Sequence, residues 1–138
     1  LAGMRIGYAL GSETLIATLE AVKNSYNSYT MDALALAAGE ASVRDEDYFR
    51  QSCAKVIATR ERAADALREL GFTVLPSLTN FLFVTHPKKE APVIFECLRQ
   101  KNIFIRYFKL PRIEKYLRIT VGTDEQMDRL IAALKEFL

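Results

Sequence analysis

Apolar residues recur every three or four positions between residues 45 and 70, a spacing that places them on one face of an α-helix. Acidic residues stand where the first turn would begin, and Gly71 follows the last turn. The opposite face is charged, and we expect it to be solvated. Its residues are Arg50, Lys55, Arg60, Glu61, Arg62, Asp65, Arg68 and Glu69. The pattern predicts one long amphipathic helix over residues 45–70.

The period changes after Gly71 to the alternation typical of β-strands. We predict strands over residues 72–75, 80–85, 103–106 and 116–121, and helices over residues 91–101 and 124–137. Thr123 and Gln126 have the spacing of a capping box ahead of the last helix. The order α-β-β-α-β-β-α predicts an α+β domain of the broad α/β class, with two helices on one face of a small mixed or antiparallel sheet. The other face would be free for a ligand or another domain.

The first 44 residues follow a different pattern. We predict a strand over residues 4–10, a helix that Ser12 caps and that runs to about Lys23, a polar and aromatic loop over residues 24–29, and an alanine-rich helix over residues 31–43. We therefore expect two domains, with residues 1–44 as the remnant of a larger domain and residues 45–138 as a small C-terminal domain. Because the first residue is not Met and the chain starts almost directly in a predicted strand, we expect the N-terminal part of a longer protein to be missing.

Composition excludes few function classes. The 138 residues are 50% hydrophobic, which is enough for a core, and 19 basic residues face 17 acidic ones. This near-neutral balance gives no support for a general nucleic-acid or membrane-surface role, and no apolar run approaches the ~20 residues of a membrane span. Cys53 and Cys97 lack metal-ligand spacing and suit a reduced, cytoplasmic protein. His86 has no helix-spaced partner, so we predict neither a metal site nor a catalytic triad.

The strand predicted over residues 116–121 has an arginine at its centre. Because strand side chains alternate between faces, Leu117 and Ile119 share one face while Arg118 lies on the other. A charge in mid-strand is costly unless it meets an anion or stays partly wet. Arg118 is therefore a candidate anion receptor. The strand alone favours the simpler alternative, in which a local carboxylate caps Arg118 on a solvated face.

Other residues of the chain favour the interpretation of Arg118 as an anion receptor. Arg5 lies at the edge of the first predicted strand, between Gly3 and Gly7, where backbone can approach a ligand. Arg106 ends the third strand of the C-terminal part, and Asn80 begins a strand with a buried pattern. Planar guanidinium groups grip carboxylates and phosphates through two hydrogen bonds, and an asparagine can add an amide hydrogen bond. No serine or cysteine stands in a nucleophile motif, so no catalytic residue is predicted in the chain.

Together these segments resemble the C-terminal part of the fold-type I, pyridoxal-phosphate-dependent aminotransferases, and the histidinol-phosphate aminotransferases in particular. The similarity covers nearly the whole chain. It is carried by residues 1–8 (LAGMRIGY), 24–38, 56–62 (VIATRER), 75–81 (LPSLTNF), 105–108 (IRYF) and 116–123 (YLRITVGT).

The resemblance implies a role for each candidate. Arg5 would bind the phosphate of pyridoxal 5'-phosphate. Arg118 would hold the α-carboxylate of ordinary amino acids or the phosphate end of histidinol phosphate. Arg106 would help to bind that anionic end, and Asn80 would line the substrate side of the pocket. The resemblance also implies small-molecule substrates, with 2-oxoglutarate as the 2-oxo acid, and a homodimeric parent enzyme in the histidine biosynthetic pathway.

The same resemblance places the family's cofactor-bonding lysine a few residues before Leu1, so we expect the 138 residues alone to be inactive. Three alternatives stay open. The parent could be a related enzyme, namely threonine-phosphate decarboxylase or an aromatic or aspartate-type aminotransferase. The chain could be a stand-alone α+β domain that binds an anionic effector at Arg106 and Arg118. The apolar stripes of the first 44 residues could also make the chain self-associate.

Overall fold

The computed structural model describes residues 2–138, with side chains from residue 3 onward. It divides into two compact units, Leu1–Arg50 and Gln51–Leu138. Within the described residues, no helix is both long enough and apolar enough to cross a membrane.

The first unit is helical. A short 3₁₀ helix, Ala2–Met4, is followed by helix α1 (Glu13–Tyr26), helix α2 (Ala33–Arg44) and the start of helix α3 (Glu46–Glu69). The predicted N-cap of α1 is confirmed, because the Ser12 hydroxyl accepts a hydrogen bond from the Leu15 amide at 3.4 Å. This cap shows that a local sequence signal sets where α1 begins.

Two predictions for this unit are corrected. Residues 4–10 do not form a strand: Arg5 takes a left-handed backbone conformation with φ 57°, and residues 6–10 have no regular structure. A strand needs a hydrogen-bonded neighbour, and the described part of residues 2–50 contains none. The loop predicted over residues 24–29 is also shorter, because α1 continues through Tyr26 before Asn27 ends it.

The second unit confirms the predicted order. After α3 come strands β1 (Thr73–Val74) and β2 (Phe81–Thr85), helix α4 (Ala91–Gln100), strands β3 (Arg106–Tyr107) and β4 (Leu117–Thr120), and helix α5 (Asp124–Phe137). The sheet has the order β1-β2-β4-β3, and every neighbouring pair is antiparallel. The third strand lies later than predicted. Asn102 reverses the chain at φ 57°, and the Ile103 amide bonds the Leu98 carbonyl at 2.9 Å to close α4, so pairing begins only at Arg106.

One face of the sheet forms the core. The strands contribute buried residues at alternate positions, namely Leu82, Val84, Leu117 and Ile119. Three helices rather than the predicted two cover that face, because the second half of α3 joins α4 and α5 in the same cluster. Their central side chains are Ala63, Leu67, Ile94, Leu98, Leu130 and Leu134. The other face carries the alternate side chains of β2 and β4 and is not part of the core.

Both predicted helix signals in this unit are confirmed. Gly71 ends α3 with a φ of +86°, a conformation that residues with a Cβ rarely adopt. The capping box of α5 is complete. The Thr123 hydroxyl accepts from the Gln126 amide at 3.3 Å, and the Gln126 side chain accepts from the Thr123 amide at 3.0 Å.

Charge-assisted hydrogen bonds join α3 to the first turn of α5. The Arg62 guanidinium donates to Asp124 Oδ1 at 2.9 Å and to the Asp128 carboxylate, and Thr59 Oγ1 donates to Asp124 Oδ1 at 2.9 Å. Arg62 first and Thr59 second hold the pKa of the Asp124 carboxyl below its ordinary value of 3.8. The same bonds raise the pKa of the Arg62 guanidinium, with Asp128 as the larger cause.

Candidate functional site

Two of the predicted anion-binding arginines meet on the open face of the sheet. Arg106 on β3 and Arg118 on β4 are direct register partners, and the next pair is Tyr107 with Leu117. Directly opposed residues project from the same face of an antiparallel sheet. Since Leu117 is buried in the core and Tyr107 packs against it, the two arginines lie on the opposite, open face.

The pair is electrostatically unusual. Like charges directly opposite each other destabilise a sheet unless something neutralises them. Within residues 3–138, neither Arg106 nor Arg118 forms an ion pair with a carboxylate, whereas Arg44, Arg50, Arg60, Arg62, Arg68 and Arg99 all do. The simpler alternative for Arg118, capping by a local carboxylate, is therefore wrong for the described chain. The register therefore leaves two arginines without a carboxylate partner at directly opposed positions of β3 and β4.

Aromatic rings support both guanidinium groups. The Arg118 Cζ lies 4.2 Å from the centroid of the Phe81 ring, and the Arg106 Cζ lies 5.6 Å from that of Phe108. Both distances are within the range of a cation–π interaction. This contact leaves the edge of the guanidinium, which carries its N–H donors, free for a ligand. Sequence reasoning missed both rings. The Phe81 contact depends on the β2–β4 register, which joins segments that are distant along the chain, and the Phe108 contact depends on the path of the chain just after Arg106.

Asn80 lies at one end of the same sheet. Its carbonyl accepts a hydrogen bond from the Val121 amide at 2.9 Å, which extends the β2–β4 ladder by one residue. Arg118 is paired with Phe83, three positions further along β2, which is about 10 Å at the usual rise per residue. The Asn80 side chain is exposed. The structure thus brings Arg106 and Arg118 together and places Asn80 at the end of the neighbouring strand.

Arg60 is a correction to the sequence analysis. It was predicted on the solvated face of α3, but only 5% of its surface is exposed. Its guanidinium donates to the Thr79 carbonyl at 3.1 Å and, through two nitrogens, to Glu61 Oε1 at 2.9 and 2.7 Å. The spacing of residues along α3 indicates this burial. Arg60 precedes Ala63 and Ala64 by three and four positions and so shares their buried face. Arg60 therefore fixes the segment that leads to Asn80.

Arg5 belongs to the first unit. It follows the 3₁₀ helix, its side chain is exposed, and within residues 3–138 it forms no ion pair. The glycines on either side leave open space, with nothing within 4 Å of a β-carbon built on Gly3 or Gly7. This arrangement suits an approaching phosphate ester. The role of Arg5 as a phosphate ligand stays a prediction.

The comparison with known families shows which family the chain belongs to. The profile of the family described as "Aminotransferase class I and II" matches residues 1–134. This chain belongs to the class I and II aminotransferases. The fold predicted from the resemblance, the C-terminal part of a fold-type I enzyme, is confirmed by that match and by the structural neighbours below.

Relatives of this aminotransferase chain include several proteins named histidinol-phosphate aminotransferase. It is 54% identical over 138 residues to the histidinol-phosphate aminotransferase of Acinetobacter baylyi, covering 100% of this chain and 38% of that protein. It superposes on the histidinol-phosphate aminotransferase of Sinorhizobium meliloti in complex with pyridoxal-5'-phosphate with a TM-score of 0.86 and 30% identity, covering 100% of this chain and 39% of that one. The N-succinyldiaminopimelate aminotransferase of Mycobacterium tuberculosis gives a TM-score of 0.80 and 27% identity, covering 99% and 38%. The chain thus spans about two fifths of the length of these relatives.

A cavity of this aminotransferase chain is lined by neither Arg106 nor Arg118. Its volume is about 680 Å³, and its lining includes His86, Lys88, Lys89, Glu114 and Lys115. The His86 ring packs edge-on against Phe72 at 5.0 Å, and its Nδ1 accepts from the Lys88 amide at 3.2 Å. His86 is thus used in packing and in a turn. Among residues 2–138, no three His, Cys, Asp or Glu side chains cluster as a metal site.

Proposed function

We propose that the protein containing this chain is a histidinol-phosphate aminotransferase. It would transfer an amino group between histidinol phosphate and a 2-oxo acid, with 2-oxoglutarate and glutamate as the second pair. The observation that carries this proposal is the directly opposed Arg106 and Arg118, which lack carboxylate partners within residues 3–138. The name that several relatives share supports the choice of substrate.

The arginine pair would bind and orient the anionic end of each substrate. A phosphate monoester offers three oxygens, and a carboxylate offers two, so both can accept paired N–H groups from one or two guanidinium groups. Because a transaminase must bind both substrates in turn, a receptor that accepts either anion suits the reaction. Holding that end fixes the position of the reacting carbon, which is how binding energy contributes to rate. Asn80 would add an amide contact on the substrate side.

The residues present fit one part of pyridoxal 5'-phosphate. Arg5, exposed between two open glycines, has the donor geometry for its phosphate group. When bound, this cofactor supplies an electron sink for reactions at the carbon that bears the amino group. The lysine that bonds to it would lie ahead of Leu1 in the parent protein. We therefore propose that the 138 residues alone do not transaminate, and that they show no visible absorbance from bound cofactor after gel filtration.

A homodimeric assembly and a cytoplasmic location complete the proposal. Family resemblance supports the first. The two unpaired cysteines, Cys53 and Cys97, suit the second.

Steady-state kinetics of the full-length protein test the function. We expect a higher kcat/KM for histidinol phosphate than for phenylalanine. Arg118→Gln should lower kcat/KM for histidinol phosphate by about 100-fold, the scale expected when a charged, bidentate hydrogen-bonding group is lost. Arg99→Gln is the matched control, because Arg99 is an exposed arginine that pairs with Glu96 on α4. Equal kcat/KM values for the two substrates, or equal behaviour of the two variants, would refute the proposal.

The same assay separates the related enzymes. Release of CO₂ from threonine phosphate would indicate a decarboxylase, and a preference for phenylalanine or aspartate would indicate another aminotransferase. An intact protein that binds an anion and turns over no amino donor would indicate a regulatory domain.

A further inference from the structure

We propose that Phe81 is a positioning residue that fixes the plane of the Arg118 guanidinium and so sets its grip on the substrate anion. The inference rests on the proposed function, because it assigns Phe81 a task in the same site. The starting observation is the 4.2 Å distance between the Arg118 Cζ and the centroid of the Phe81 ring.

The Phe81 ring is attached to a well-fixed backbone. Phe81 pairs with Thr120 in the β2–β4 ladder. Its carbonyl accepts from the hydroxyls of Ser77 at 2.6 Å and Thr79 at 3.2 Å. Thr79 is in turn bonded through its carbonyl to the buried Arg60. Hydrogen bonds therefore hold the backbone on both sides of Phe81. They fix the position of the ring against which the Arg118 guanidinium packs.

A free arginine side chain has many rotamers, and each hydrogen bond that it forms to a ligand must overcome this freedom. Part of the conformational entropy of the arginine side chain is lost when the ligand binds. A ring stacked on the guanidinium restricts these rotamers before the ligand arrives, and such preorganisation increases affinity without adding a contact to the ligand. Among the aromatic residues of the open face, Phe81 is the one that performs this task for Arg118.

Phe83 provides the matched comparison. It has the same side chain, lies on the same strand and face, and is the register partner of Arg118. Its ring is stacked on Tyr116, with centroids 4.8 Å apart and planes at 10°. The Phe83 ring therefore packs on another aromatic ring, whereas the Phe81 ring packs on the Arg118 guanidinium. Residue type and proximity alone do not distinguish these two phenylalanines, but their contacts do.

Arg106 is supported less closely. Its Cζ lies 5.6 Å from the Phe108 centroid, on the edge strand β3, and its side chain is exposed. A looser arginine beside a fixed one suits a site that must accept anions of two shapes. Arg118 would provide the constant contact, while Arg106 adjusts to a phosphate or a carboxylate.

NMR of the 138-residue chain tests the contact directly. A proton above an aromatic ring resonates upfield, so we expect the Arg118 Nε–Hε signal upfield of the other arginines. Phe81→Leu should move it downfield, Phe81→Tyr should preserve its position, and Phe83→Leu should leave it nearly unchanged. A signal that stays in place in Phe81→Leu would overturn the inference. Urea unfolding of each variant verifies that the fold is intact, and Phe81→Tyr keeps the test decisive if Phe81→Leu unfolds.

Titration with inorganic phosphate, followed at the Nε–Hε signals of Arg106 and Arg118 so that the Arg106 signal still reports binding in Arg118→Gln, tests the consequence. Phe81→Leu should weaken phosphate binding by about 5-fold, within the range of a cation–π contribution, while Phe83→Leu changes it less than 2-fold. In the full-length protein, the same change should raise KM for histidinol phosphate more than it lowers kcat.

The two proposals fail in different ways. If Arg118→Gln abolishes phosphate binding and Phe81→Leu leaves it unchanged, the role of Phe81 is refuted and the proposed function stands. If Arg118→Gln leaves both phosphate binding and kcat/KM unchanged, the proposed function falls, and the inference falls with it.

Discussion

Residues 1–50 and residues 51–138 both contain helices with side-chain caps, but they differ in how many of their side chains are buried. Both regions have side-chain N-caps, at Ser12 and Asp32 in the first and at Thr123 in the second. Among the side chains described in residues 3–50, Ala35 alone is buried. The second region has a continuous core drawn from three helices and four strands.

The difference shows that an amphipathic pattern and a good cap produce a helix but do not produce a core. Helix boundaries are set by nearby residues, whereas burial needs a complementary surface elsewhere in the fold. Most of the stability of a helix in a protein comes from packing of its apolar face. We therefore expect cooperative unfolding of this chain to report mainly on residues 51–138.

The largest expected effect comes from removing a core side chain. Leu67 is fully buried, with 0% of its surface exposed, so Leu67→Ala should lower the free energy of unfolding by about 3 kcal/mol. Leu19→Ala, at a site in α1 that is 47% exposed, should change it by less than about 0.5 kcal/mol. Urea unfolding followed by circular dichroism measures both. Equal losses would mean that the first region folds as part of the same cooperative core.

The exposed apolar stripe of α1 should make the 138-residue chain self-associate at micromolar concentration. Leu15 and Leu19 are both about half exposed on this helix. Replacing both by Lys should weaken association by about 2 kcal/mol, or about 30-fold in the apparent dissociation constant. Leu78→Lys, at a site 95% exposed in the second region, is the control and should have little effect. Sedimentation velocity measures this, and a monomeric profile for the unmodified chain would contradict the expectation.

The helix caps offer a smaller and closely matched test. Thr123→Ala removes one half of the capping box of α5 and should cost about 1 kcal/mol of stability. Ser12→Ala removes the equivalent oxygen from α1, but we expect no change in the main unfolding transition, because α1 contributes no residue to the core. A loss of the same size in both variants would show that the two regions unfold together.

The smallest effect concerns acid stability. The pKa of the Asp124 carboxyl is lowered in the folded chain by Arg62 and Thr59, so the folded state binds this proton less readily than the unfolded state. The carboxylate therefore stabilises the fold above its ordinary pKa of 3.8. That contribution is lost as the pH falls below 3.8 through the lowered folded value.

Carbon-detected NMR titration of Asp124 measures this pKa. Arg62→Gln should raise it toward its ordinary value, whereas Arg99→Gln, on α4, should leave it unchanged. A pKa that does not respond to Arg62→Gln would contradict the assigned cause.

Local signals explain which parts of the fold could be predicted. The capping box, the Gly71 stop and the alternation that buries Leu117 and Ile119 depend on residues a few positions apart, and all are confirmed. The strand predicted over residues 4–10 was wrong because a strand depends on a partner that the local sequence does not reveal.

The candidate site was only partly predictable for a similar reason. Arg106 and Arg118 could be chosen from their residue type and strand positions, but their direct pairing follows from the β3–β4 register. The stacking of Phe81 on Arg118 joins residues 37 positions apart and follows from the β2–β4 register. Arg60 was misassigned because its charge was given more weight than its place on the buried face of α3.

The two border strands of the sheet, β1 and β3, have only two residues each. Short edges offer few free backbone amides and carbonyls to a neighbouring molecule, so they are poor templates for intermolecular β-pairing. At high concentration this chain should therefore form reversible clusters that disperse on dilution and keep a helical circular dichroism spectrum. These clusters should not give the fluorescence of a dye that binds amyloid fibrils.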